Sequence, residues 1–97
     1  MPDPNFVREV ACAVELYEKM IGHAAGRTRP MIERYGAVEA LSRLMVSADL
    51  QKGFKVLRDS NQLDISFEAI VVRFKNLFRL EVVNAAQWRL DHPYELL

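Results

Sequence analysis

The sequence predicts an all-α protein, a compact bundle of five or six short helices forming a single domain over residues 1–97. Three observations carry this. From Leu63 to Phe78, the residues Phe67, Ile70, Val71, Phe74, Leu77 and Phe78 recur at steps of three and four, so they fall on one face of a helix. Strand alternation is nowhere sustained: Ile70-Val71-Val72 is β-prone by composition, but its flanks read helical. Caps and breakers punctuate the chain at short intervals, at Asp3-Pro4, Thr28-Arg29-Pro30, Gly36, Ser47-Ala48-Asp49, Ser66 and Pro93.

The first helix is expected from about Asn5 to Ala25, with Asp3 as N-cap and Pro4 in the first helical position. Phe6, Val10, Ala13, Val14, Tyr17, Ile21 and Ala24 form its main stripe. Cys12, Leu16 and Met20 form a second, and a helix with two apolar stripes meets two neighbours. Gly22 weakens this helix by about 1 kcal/mol against alanine, and Gly26 reads as its stop. Thr28 caps a second helix with Met31, Ile32 and Tyr35 facing inward, ended or bent by Gly36. A third helix over 37–46 carries Val38, Leu41, Leu44 and Met45. Ser47-Ala48-Asp49 caps a fourth that runs to about Arg58, with Leu50, Phe54 and Leu57 inward and Gly53 between them. Asp59 to Gln62 is turn material in which Asn61 suits the left-handed conformation. The central core helix then runs from a Ser66 cap to Phe78. The last helix, Leu80 to Asp91, has a face of Val83, Ala86 and Leu90 flanked by Val82 and Ala85. Pro93 stops it, and Tyr94, Leu96 and Leu97 form an apolar tail.

At 97 residues a chain buries only about 60–70% of the surface its unfolded form exposes, so covering apolar surface with a partner helps it. Thirteen basic and thirteen acidic residues cancel, which removes any global pull toward nucleic acid or membrane. A near-zero charge also does little to oppose self-association. The single cysteine, Cys12, cannot form an internal disulfide and fits a reducing compartment. The start, Met-Pro-Asp-Pro-Asn, lacks the basic and apolar regions of a signal peptide, and no apolar run reaches membrane-spanning length. These features together predict a cytoplasmic protein.

Gly36-Ala37-Val38-Glu39-Ala40, then Gly53-Phe54 with Leu57, then Leu63-Asp64-Ile65-Ser66-Phe67-Glu68-Ala69, then Leu77-Phe78, and finally Ala86 with Arg89-Leu90 follow one another in a distinctive order. In this the chain resembles a family of small uncharacterised bacterial helical proteins, over about Met31 to Leu90. The resemblance implies a compact helical unit, standing alone or joined to a longer chain, and brings no catalytic residue or cofactor. Arg79 departs from the pattern, which has a capping threonine or serine there, and so leaves the start of the last helix open.

No phosphate-loop fingerprint exists, because Gly22, Gly26, Gly36 and Gly53 lie far apart. Cys12, His23 and His92 show no metal-ligand spacing. Cys12 and His23 are eleven residues apart on one expected helix, about 16 Å, too far for a thiol and its base. Glu15 and Glu18 share a face, which with Lys19 and Arg8 nearby reads as solvated. No catalytic residue, cofactor or metal is expected.

Charge is uneven along the chain, with both ends net acidic and the middle net basic. Arg27, Arg29 and Arg34 cluster at the first break, and Lys52, Lys55 and Arg58 on the fourth helix. They offer contacts to nucleic acid or an acidic partner, though Glu33, Glu39, Asp49 and Asp59 dilute them. Trp88 lies off the stripe of the last helix. Either the tail folds back over it, or Trp88, Tyr94 and Leu96 remain outside as an interface. The expected function is a non-enzymatic protein–protein interaction module or small inhibitor, with Cys12, Leu16, Met20, Trp88, Tyr94 and Leu96 meeting a protein partner or a second copy. Size and resemblance together suggest a mobile-element origin and a host defence complex as target. The alternative is a nucleic-acid-binding helical protein using segments 27–34 and 52–58.

Overall fold

The computed structural model describes residues 3–22, 24, 26, 28–45 and 50–94, with backbone alone for 50–53. Among them, six α-helices follow in order: α1 Pro4–Ile21, α2 Thr28–Tyr35, α3 Ala37–Met45, α4 Leu50–Asp59, α5 Phe67–Arg73 and α6 Leu80–Asp91. Two 3₁₀ turns, Leu63–Ile65 and Lys75–Leu77, flank α5. The all-α expectation holds, and no strand occurs among the described residues. The radius of gyration is 12.2 Å, close to the roughly 12.5 Å of a compact chain this long.

The Asp3 carboxylate accepts from the amides of Asn5 and Phe6 and caps α1, with Pro4 opening the helix as expected. The helix stops earlier than its periodicity suggests. Gly22 takes φ +78° and its amide donates to the Glu18 carbonyl, so Gly22, not Gly26, is the terminator. Ala24 is therefore off the stripe and exposed. Phe6, Val10, Ala13 and Val14 are buried, and α1 packs against both α5 and α4.

The long central helix expected over 66–78 is broken. Ser66 caps its start: its hydroxyl accepts from the Ala69 amide and donates to the Leu63 carbonyl, which closes the preceding turn. The helix ends after seven residues at Phe74 (φ −108°, ψ 38°). The physical reason lies on α1. Phe6 meets both Phe74 (5.4 Å) and Phe78 (5.7 Å) edge-to-face, and the chain tightens between those two rings so that both reach it. Leu77, expected inward, is swung to the surface. Ile70 and Val71 remain at the centre of the core, with Leu41, Leu44 and Met45 of α3 and Val82 and Ala86 of α6 around them.

Helix α2 has no buried residue and leans on α3, with Met31 and Ile32 packed against the core. Tyr35, expected inward, is exposed, with the Arg43 guanidinium 3.9 Å from its ring centre. Gly36 (φ +82°) separates α2 from α3. Phe54 and Leu57 of α4 are buried as expected. The expected cap 47–49 and the Leu50 side chain lie outside the described residues; Gly53 sits within α4. Asn61 adopts the left-handed conformation (φ 61°). Arg79 precedes α6 in extended conformation without a side-chain cap, so α6 starts at Leu80 regardless of the missing hydroxyl.

Two stability predictions follow from the caps. Ser66→Ala removes two hydrogen bonds at a buried hydroxyl and is expected to cost about 1–2 kcal/mol in urea unfolding followed by circular dichroism. Gly22→Ala meets no steric obstacle, so its cost is the left-handed backbone alone, about 1–2 kcal/mol.

Candidate partner interface

The candidate surface is built at the C-terminal end of α6. Trp88, 46% exposed, stacks on His92 one turn later, with ring centres 4.5 Å apart and planes 21° from parallel. The His92 Nδ1 lies 2.9 Å from the Trp88 carbonyl oxygen, which orients the imidazole at the helix end. Pro93 then turns the chain, and Tyr94 projects to 77% exposure. The Arg58 guanidinium lies 4.9 Å from the Tyr94 ring centre, donates to the Pro93 carbonyl at 3.0 Å, and meets Asp59 at 2.9 Å. Trp88 is thus exposed and braced by His92. Leu96, the remaining tail residue of the expected interface, lies outside the described residues.

The second expected apolar surface is partly consumed. Cys12 is an exposed free thiol, but Leu16 and Met20 are half-buried on α1, which has α4 as its second neighbour.

Two of the candidate basic residues, Arg29 and Arg58, are engaged in internal contacts. Arg29 grips Glu18 with both arms of its guanidinium, one contact at 2.6 Å, so Glu18 is ion-paired and mostly covered, which corrects its reading as part of a solvated face. Arg58 braces the tail, as described. Arg34 lies 5.5 Å from the Tyr35 ring centre, and Lys55 is half-buried. Arg27 and the Lys52 side chain lie outside the described residues. A shallow depression lined by Glu15, Glu18, Lys19, Gly22, Ala24 and Arg29 adjoins the end of α1. Of its two glutamates, Glu18 is paired with Arg29. Among the described residues, no group of three or more metal-capable side chains converges, and no helix is long and apolar enough to cross a membrane.

Periodicity missed one feature entirely. Glu68 is 1% exposed, and its Oε2 accepts from Nη1 of the buried Arg89 at 3.2 Å, an ion pair between α5 and α6. A glutamate in a first helical turn reads as a dipole partner, and only Arg89's position three residues after Ala86, on the same face, hinted at burial. Burial raises the Glu68 pKa above the usual carboxylate range, opposed by its own backbone amide and by Arg89. No buried side-chain nitrogen or oxygen among the described residues lacks a partner.

No family model, curated protein or solved structure matches this chain.

Arg89→Met leaves Glu68 buried without its cation and is expected to cost about 3–5 kcal/mol in denaturant unfolding. The pH dependence has a definite sign. Because the folded state holds the Glu68 proton more tightly than the unfolded state, its contribution is complete below the ordinary carboxylate pKa and is lost as pH rises through the raised value. Wild type should therefore lose stability relative to Glu68→Gln across that rise; a difference that is flat with pH would contradict the burial effect.

Proposed function

We propose that this protein is a non-enzymatic binding module that offers the aromatic end of α6 to a protein partner. The observation that supports this reading is Trp88, an indole left half in solvent but held in one orientation by His92. Fixed, amphipathic aromatic groups lose little conformational entropy on association and are the usual anchors of protein interfaces. Tyr94, braced through Arg58, adds a second such group at the same end of the helix. The partner is another protein, or a second copy meeting the Cys12, Leu16 and Met20 side of α1. Size and the resemblance to small bacterial helical proteins favour a cytoplasmic inhibitor of the kind a mobile element directs at a host defence complex. Binding to nucleic acid ranks second, because it asks for cations available to phosphates, and Arg29 and Arg58 are spent on internal contacts.

Capture from the native cell, run in parallel with wild type and Trp88→Ala/Tyr94→Ala, tests the reading. Both positions are exposed, so the variant should keep its helicity and melting temperature. It should lose the captured protein, with a Kd weakened by about 2 kcal/mol or more, on the order of thirtyfold. Undiminished capture by the variant would remove the α6 surface from consideration. Light scattering across concentration reads the second-copy form: self-association that Leu16→Glu abolishes supports it, and a monomer throughout rejects it.

A further inference from the structure

The apolar pattern of α6 and its observed seating on the core do not coincide. The apolar pattern favours a face of Val83, Ala86 and Leu90. The observed buried face is Val82, Ala86 and Arg89, with Val83 and Leu90 half-buried at its margin. At 100° per residue these two faces are centred about 65° apart around the helix axis. The chain therefore adopts the seating that buries an arginine where it could have buried a leucine.

What distinguishes the observed seating is Glu68. It is buried on α5, and with α6 turned this way Arg89 reaches it. A buried ion pair contributes little net stability, since desolvation offsets the attraction, yet breaking one is costly because a charge stays buried without its partner. Such a pair is a weak glue and a strong selector. The apolar seating would carry Arg89 away and leave the Glu68 carboxylate enclosed by hydrocarbon.

The selection has a consequence at the surface. In the observed seating Trp88 lies about 125° from the centre of the buried face, at the edge of the packed side; in the other it would lie about 165° away, facing outward. We propose that the Glu68–Arg89 pair is a register device that holds α6 in one rotation on α5 and thereby keeps Trp88 at the margin of the core as an oriented anchor. The value of that orientation rests on Trp88 being a binding residue; the rotation itself does not, and it is measurable in the protein alone.

The chain contains one tryptophan, so its fluorescence reports this position without ambiguity. Glu68→Met/Arg89→Met replaces the selector with apolar groups of similar length and leaves two nearly equal seatings. The expected result is a cooperatively melting helical protein whose Trp88 emission shifts to the red and gains a second, more readily acrylamide-quenched population. Adding Leu90→Gln removes the competing seating and should restore a single native-like population. A folded double variant with native emission and quenching would overturn the proposal. An unfolded double variant would overturn it as well, because the pair would then be a source of stability and not a selector. If the fluorescence result holds while Trp88→Ala leaves partner capture intact, the binding reading fails and the register device stands. The reverse outcome separates them the other way.

Discussion

A helix of seven residues does not persist alone in water, where about 12–15 residues are marginal even for favourable sequences. Helix α5 persists because it is enclosed. Helices α1, α3 and α6 and both 3₁₀ turns pack around it, and Ile70 and Val71 lie at the centre of the core. Its start is closed by Ser66, whose hydroxyl serves the turn before it and the helix after it. Its end is turned by the rings that meet Phe6. Across its outer edge Arg73 bonds both Glu9 of α1 (3.1 Å from Nε) and the Asp64 carbonyl at 2.7 Å, tying the first helix to the segment before α5. Those outer bonds are exposed and add little in water. Enclosure does most of the work, and each neighbouring helix is positioned by how it covers α5.

That dependence reaches the surface through α6. The buried face of α6 includes Arg89, so its rotation is decided by charge as well as by hydrocarbon, and the rotation sets where Trp88 stands. Arg58 shows the same economy: a side chain that reads as part of a basic face is bonded to the Pro93 carbonyl and lies against Tyr94. Arginine suits both duties because its planar guanidinium donates in a fixed fork while its flat face lies on an aromatic ring. The surface that results at this end of α6 is aromatic, with Arg58 held between Tyr94 and Asp59.

The helical class and most element positions were legible from residue spacing and caps. Asp3-Pro4, Gly36, Asn61, Ser66 and Pro93 each act through local backbone chemistry, and each stands where that chemistry predicts. The misreadings share one origin. Periodicity extended α1 past Gly22 and α5 past Phe74, and it turned α6 onto its most apolar face. In two of the three cases a distant side chain intervened: Phe6, far earlier in the chain, draws in Phe74 and Phe78, and Glu68 draws in Arg89. At Gly22 the choice was local, but two nearby glycines offered the same left-handed stop.

The candidate interface residues divide in the same way. That Trp88 and Tyr94 stand outside was one of two readings open to the sequence, and the packing of His92 and Arg58 against them chose it. By itself the sequence determined an all-α chain and where most of its helices begin, because caps, breakers and apolar spacing act within a few residues. Only the tertiary structure decided where the central helix breaks, how α6 is rotated and which cations are spent internally. Those outcomes depend on side chains that meet across tens of residues, and no local pattern encodes which charged group will find its partner in the core.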